Sequence, residues 1–575
     1  MDEPLERDDA AVGRMEIGPA PRESFSGGRA LLWILPVAFV GIFFYLPLVS
    51  ILRMGAGAAL RAGLGAFSAR TILNAAGFTF YQAALSTLLT VIVGLPGAYV
   101  FARYEFPLKR LLRAFLIVPF ILPTVVVAAG FESLLGPSGW INLALQAAGL
   151  IHQPIPFLHS LGAILLAHVF YNTSIVLRLV GSAWERLDPN LPAAARVLGA
   201  SRWQAFRRVT LPLLVPSLLA AAALVFLFDF TSFGVILILG GPGFSTLETE
   251  IYIQALQAFN LPAASLLSIV QIAFTLALVV ISTRLAQRAE SATLKVGYQT
   301  ARKPVSAAEK LSLAAVLCLL GALFFMPLIS PVASSFLRTE AARGERTAVQ
   351  TGFTLDYYRE LFINRKEAAF FATPIESARN SLLVAVATTI IALGLGIPAS
   401  MLLSRPGRLD QLIEPFLLLP LGTSAVTLGL GMLVALSRPP LDLIRSPLLL
   451  PVAHSLIALP FVVRGLKPAL AGIPARLREA AAALGASPFR VWQAVDFPIA
   501  ARAVFSAAAF AFAVSLGEFG ATTIIVRPDF PTMPVAIYRF LSQPGGLNYG
   551  QAMAMATLLM LLCTVAVTTI ERTRE

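Results

Sequence analysis

Asp229 and Glu518 are carboxylates set inside long apolar stretches, and each has a serine three residues away, Ser232 and Ser515 respectively. Residues three apart share a helix face, so each pair presents one acid and one hydroxyl together. Moving the first pair 286 positions along the chain lands on the second with acid and serine exchanged, 229 onto 515 and 232 onto 518. Phe233 and Phe519, next in line, match as well. Ionisable groups inside apolar segments are costly and are functional candidates by default. The available chemistry is attraction of a cation by two carboxylates, with stacking or gating by two aromatic rings. In the competing reading both acids hold the fold by bonding neighbouring helices or backbone.

Other reactive constellations are not written into the chain. A phosphate-binding loop needs Gly-Lys-Ser/Thr, and none of the six lysines (109, 295, 303, 310, 366, 467) follows a glycine. There is no His-Glu-x-x-His and no nucleophile elbow. The four histidines (152, 159, 168, 454) are scattered, and the repeat-matched pair His168 and His454 reads as structural, hydrogen-bonded side chains. Cys318 and Cys563 lie in apolar runs without metal or disulfide spacing. No catalytic residue, metal site or cofactor of the chain's own is expected, so any ATP-Mg belongs to a partner. No chain of acids and histidines suggests a proton relay.

The elements that position these residues are membrane helices. Hydrophobic residues make up 57% of 575 and charged residues 13%, about half the charge of an ordinary soluble domain, and mean hydropathy is +0.78. A helix crossing about 30 Å of hydrocarbon needs roughly 20 apolar residues. Twelve such stretches lie near 30–52, 76–101, 112–135, 161–183, 213–239, 263–284, 312–336, 380–403, 411–436, 447–465, 500–526 and 550–570. The +13 net charge is topological. Lys and Arg crowd the turns 103–113 and 284–310, whereas the loops 136–160 and 240–262 carry none. That bias puts the basic turns, and both termini, in the cytoplasm, and no nucleic-acid surface is needed to explain it. Residues 1–29 read as a polar, disordered cytoplasmic leader without the features of a cleaved signal peptide.

The 286-residue offset holds over a long block, taking His168 to His454, Arg178 to Arg464, Gly199 to Gly485, Pro212 to Pro498 and Tyr252 to Tyr538. Repeats of this kind define architecture. The chain reads as all-α, with two homologous six-helix halves at 30–285 and 312–575 joined by a cytoplasmic linker at 286–311. An even number of spans separates the halves, so they are parallel repeats about an axis along the membrane normal, with a pathway between them.

One polar motif is repeated within that block. Ala193-Ala194-Ala195 leads to Gly199 and Pro212 in the first copy, and Glu479-Ala480-Ala481 to Gly485 and Pro498 in the second. Alanines favour helix, each glycine is suited to ending it, and Ser201 or Ser487 can cap a second helix, with Pro488 at its first position. That second helix would lie along the membrane face carrying Arg202 and Trp203, or Phe489 and Arg490. Such residues serve either as a lipid-headgroup anchor or as an anchor for a protein partner.

The order Glu-Ala-Ala, three residues, Gly, nine residues, aliphatic and Pro resembles the coupling loop of ABC-importer permeases. Further runs, Ser232-Phe233-Gly234 to Leu239-Gly240-Gly241-Pro242 and Leu516-Gly517-Glu518-Phe519-Gly520, are similar to fused thiamine permeases and to their ferric-iron and aminophosphonate relatives. The resemblance implies the type I importer permease fold in a bacterial inner membrane. It also implies two copies of a cytoplasmic ATPase seated on the two loops, and an extracytoplasmic substrate-binding protein. The cargo it suggests is thiamine or a related cation, with ferric iron close behind. The first copy departs from the pattern by having Ala193 in place of the glutamate. An ion-coupled secondary transporter with two six-helix repeats is the alternative, although such a carrier has no use for paired coupling loops.

Overall fold

The computed structural model describes residues 27–62, 69–116, 119, 122–241, 243–292, 301–338, 352–363, 372–404, 408–437 and 442–574. Most of the leader, the centre of the linker and parts of the long loop after residue 338 lie outside the described residues. Among those described, eleven helices are long and apolar enough to cross a membrane, and a bent pair makes a twelfth. Backbone groups have no water to bond in hydrocarbon, which is why the spanning elements are helices. A short antiparallel pair, Leu337–Arg338 with Gly352–Phe353, is the strand structure seen among the described residues.

The spans of the first half are Leu32–Leu60, Arg70–Arg103, Thr124–Ala147, Leu161–Glu185, Arg202–Phe230 and Leu261–Ala289. Those of the second are Ala307–Ser334, Pro374–Leu403, the bent pair Ile413–Gly422 with Ala425–Leu436, Leu449–Ala471, Pro488–Gly517 and Gly546–Ala566. Several expected boundaries are corrected. The fifth and eleventh stretches do not run unbroken to 239 and 526; they stop at Phe230 and Gly517, and new helices begin at Gly234 and Gly520. The ninth bends by 105° between Gly422 and Ala425. These breaks carry little hydropathy signal because apolar residues continue on both sides of them.

The two sequence halves interlock. The first span packs on second-half helices as well as on its own: Tyr45 stacks on Phe416 at 4.2 Å and donates its hydroxyl to the Phe416 carbonyl at 3.2 Å. Reciprocally, the seventh span packs on the third. Ser330 Oγ donates to the Gly130 carbonyl at 2.9 Å, and Ser133 and Ser334 hydroxyls meet at 2.7 Å. A Cβ on Gly130 would lie 2.1 Å from the Pro327 carbonyl oxygen. Small residues and hydroxyls bring helices together where lipid offers no hydrophobic driving force.

Candidate functional site

The break after the fifth and eleventh spans decides where the acid–serine pairs go. Asp229 and Ser515 occupy the last helical turns, and Ser232 and Glu518 lie just beyond them. Asp229 is fully buried and Glu518 nearly so. Asn172 Nδ2 donates to Asp229 Oδ1 at 2.7 Å, and Gln82 Nε2 donates to the Asp229 carbonyl at 2.8 Å. Glu518 accepts from the backbone N–H groups of Ala521 and Thr522 at 2.8 and 2.9 Å, and from the Thr522 hydroxyl. It thereby satisfies the free amides at the start of the helix Gly520–Ile525.

Each acid also meets a histidine of its own half. His168 Nδ1 lies 3.0 Å from Ser86 Oγ and 3.4 Å from Asp229 Oδ1, while its Nε2 lies 2.8 Å from Ser232 Oγ. His454 is turned the other way about: Nδ1 lies 2.8 Å from Ser515 Oγ, and Nε2 lies 2.8 Å from Thr522 Oγ1 and 3.2 Å from Glu518 Oε2. The exchange of acid and serine between the halves therefore keeps one carboxylate and one hydroxyl on opposite sides of each imidazole. The fold thus joins acids and histidines that stand 61 and 64 positions apart in the sequence. Both networks are closed by hydroxyls of the half they belong to, with Thr388 joining Ser515 at 3.2 Å.

At the junction between the halves lie the aromatic residues. Phe233 and Phe519 cap the helices Gly234–Leu239 and Gly520–Ile525, and their rings stack with centroids 5.6 Å apart. Tyr252 packs on Phe233 and Tyr538 on Phe519, each at 5.5 Å. Four rings, two from each half, thus form a continuous plug. A Cβ on Gly234 would meet Thr124 Oγ1 of its own half at 2.4 Å and crowd the Phe519 ring of the other at 3.1 Å, so glycine permits the close packing at this point. A further tie crosses the junction through Glu248, which accepts from Gln271 Nε2 at 2.9 Å and from Ser424 Oγ at 2.5 Å, at the bend of the ninth span.

The repeated polar motif has the same course in both copies. A short helix, Asn190–Val197 or Ala475–Ala483, ends at Gly199 (φ +90°) or Gly485 (φ +82°). Ser201 and Ser487 then cap the next turn, accepting from the amides of Gln204 and Arg490. One expectation is corrected here. Arg202, Trp203, Phe489 and Arg490 do not ride on a separate helix along the membrane; they form the first turn of the fifth and eleventh spans. A proline clashes with the carbonyl four residues earlier, and five-residue π turns, Phe206–Thr210 and Trp492–Asp496, absorb Pro212 and Pro498 without a break. The free-standing element is the alanine-rich helix. Ala193, Ala194, Glu479 and Ala480 are exposed on it, and Ala195 and Ala481 half-buried. Its tip is apolar: Leu198 and Leu484 are 88% and 90% exposed, beside exposed Trp203 and Phe489.

The two copies are tethered differently. In the first, Phe206 stacks between Trp184 and Trp203, with centroids at 6.1 and 5.6 Å. In the second, Arg478 is paired with Asp496 and also donates to the carbonyls of Leu470 at 3.1 Å and Ile473 at 3.4 Å. Asn172, Gln82, Thr522, Glu248 and Arg478 were not singled out from sequence. Asn172 had a signal, being four residues after His168 and so on the same helix face. Thr522 likewise follows Glu518 by four residues, although Glu518 lies just before the helix that carries Thr522. Among the described residues no three of His, Cys, Asp and Glu gather as a metal site.

Comparison with known proteins follows the same two-fold plan. The family model described as "Binding-protein-dependent transport system inner membrane component" matches residues 90–294 and again 390–572. The chain is 29% identical over 506 residues to the thiamine transport system permease protein ThiP of Escherichia coli (strain K12), covering 86% of this chain and 88% of that one. It is 28% identical over 512 residues to ThiP of Brucella abortus (strain 2308), covering 88% and 89%. A probable ABC transporter permease protein of Sinorhizobium fredii, y4fN, is 27% identical over 532 residues, covering 88% and 90%. The crystal structure of a bacterial alginate ABC transporter in complex with an alginate-bound periplasmic protein aligns with 47% of this chain and 98% of that chain, at 22% identity and a TM-score of 0.38.

Proposed function

The chain belongs to the family of binding-protein-dependent transport system inner membrane components, as a multi-pass permease subunit of an ABC importer with both halves in one polypeptide, and from that premise we propose that its cargo is thiamine. The observation that carries the cargo is similarity, over 86–88% of the chain, to permeases named for thiamine transport. Thiamine is a small organic cation with two flat rings, a chemistry suited to a route flanked by aromatic faces. The ion-coupled carrier considered from sequence is set aside by the family assignment.

In the proposed cycle an external binding protein delivers thiamine, and two copies of a cytoplasmic ATPase seat on the two motif copies. Exposed Leu198 and Trp203 in one half, and Leu484 and Phe489 in the other, supply apolar anchors rimmed by Arg202 and Arg490. In this reading both termini belong to the cytoplasmic side, as the Lys/Arg bias of the short loops supports. ATP-Mg is held by the partner. Closure of the ATPase pair moves the alanine-rich helices together, and the motion passes through the unbroken fifth and eleventh spans to their far ends, where Phe233 and Phe519 stand. The rings of the plug separate along the junction between the halves. Asp229 and Glu518, clamped to His168 and His454, hold the break geometry that aims the two phenylalanines.

The test is ATPase stimulation of the reconstituted complex by its binding protein loaded in turn with thiamine, ferric iron or an aminophosphonate. Stimulation by the thiamine-loaded form is expected. Stimulation by another cargo alone would overturn the thiamine assignment.

A further inference from the structure

Glu132 is a carboxylate placed where the fold does not require one. It lies on the helix Thr124–Leu135, one turn from the end that faces away from the two coupling motifs. The matching helix of the second half is Ala425–Leu436, also twelve residues long, and alignment from their first residues sets Gly130 on Gly431 and Glu132 on Leu433. Leucine therefore satisfies this position in the other half. Glu132 is half-buried, and its carboxylate lies beside the turn that ends its helix, where a Cβ on Gly136 would come within 3.3 Å of Oε1.

The carboxylate borders a cavity of about 220 Å³ between the halves. One wall is the turn from Gly136 to Gly139. The other comes from the second half, with Phe540, Gln543 and Tyr549. Phe540 lies on the helix Met533–Leu541, which also carries Tyr538, the second-half ring at one end of the aromatic plug. The cavity thus lies at the end of the third span that faces away from the coupling motifs and shares a helix with the plug, on the side from which an external binding protein would deliver a solute. A carboxylate and aromatic side chains around a space of this size suit an organic cation. An ionisable group inside a spanning segment, without structural need, points the same way.

We propose that this cavity is an outer receiving site for the cargo's cationic group, with Glu132 as its charge-selecting residue. The inference rests on the importer reading and names the part of the route that selects charge. The experiment places a reporter thiol in the cavity by Ser138→Cys; the parent chain, whose Cys318 and Cys563 lie in spanning helices, serves as the blank. Labelling rates with a cationic and an anionic methanethiosulfonate reagent are compared in the purified complex. A nearby ionised carboxylate favours the cation and disfavours the anion, so the rate ratio is expected to fall by about 5-fold or more on adding Glu132→Gln. Glu132→Leu, the counterpart half's residue, should do the same. Thiamine and tetraethylammonium should slow labelling in the Glu132 chain.

Equal rate ratios with Glu132, Glu132→Gln and Glu132→Leu, in complexes that still bind the ATPase, would overturn the site. Thiamine import by the unaltered chain without cation protection of the thiol would also overturn it and leave the importer reading intact. Protection by both cations in a complex that imports no thiamine would support the site and remove the thiamine assignment.

Discussion

Arg478 and Asp496 provide the sharpest test of how the second coupling motif is held. Their side chains are only 13% and 9% exposed, and the guanidinium also satisfies two carbonyls at the end of the tenth span. Replacing Arg478 by Ala leaves Asp496 covered and unpaired. Stranding one member of a buried pair costs about 3–5 kcal/mol, and the residual exposure here favours the lower end. About 3 kcal/mol corresponds to a change on the order of 100-fold in an opening equilibrium. The opening that relieves Asp496 is release of the helix Ala475–Ala483, because that helix carries Arg478. Hydrogen exchange by mass spectrometry on the purified chain should therefore show its amides exchanging 10- to 100-fold faster in Arg478→Ala, while Asn190–Val197 is unchanged. Adding Asp496→Thr, the residue found at the matching position 210, removes the stranded carboxylate and should restore much of the protection. Unchanged exchange in Arg478→Ala, or no recovery in the double variant, would refute the tether.

Four further outcomes follow from the same geometry. Phe233→Ala combined with Phe519→Ala removes the stacked pair at the centre of the plug and about 0.5–1.5 kcal/mol of ring–ring attraction beyond buried area; thiamine uptake without ATP, measured in proteoliposomes, should rise several-fold. Glu518→Gln leaves one acceptor oxygen for two backbone amides and one hydroxyl, and should destabilise the chain by about 1–3 kcal/mol, seen as a lower midpoint in thermal unfolding; an unchanged midpoint would deny the capping role. Gly199→Ala and Gly485→Ala have open space around the new methyl but a left-handed backbone, costing about 1–2 kcal/mol each; ATPase binding should weaken in both. Glu479→Ala should reduce stimulated ATPase activity more than Ala193→Ser; equal and negligible effects would mean that the exposed carboxylate makes no coupling contact.

Much of the architecture was legible because it was written twice. The offset that takes Gly199 to Gly485 also takes the π turn at 206–210 to that at 492–496 and the helix at 234–239 to that at 520–525. Hydropathy located the spans, since lipid selects for apolar length. It missed the breaks at 231–233 and 518–519, where a change of backbone direction leaves composition almost unaltered. Asp229, Ser232, Ser515 and Glu518 stood out by type, yet their partners did not. His168 and His454 lie on a different span, and only packing shows that each imidazole bridges an acid and a serine. Arg478 and Asp496 were hidden for the same reason, being separated by the glycine turn that folds one back on the other. Glu132 carried the same signal as Asp229, an ionisable group in an apolar run, but without a repeat-matched acid it did not stand out until its helix could be laid against the one carrying Leu433.

The central claim is that this chain passes its cargo only when a partner hydrolyses ATP. The direct measurement is thiamine uptake into vesicles containing the chain, with its ATPase, ATP and loaded binding protein supplied or omitted singly. Uptake that requires all of them is the predicted result. Uptake by the chain alone, driven by an ion gradient and indifferent to ATP, would contradict the account.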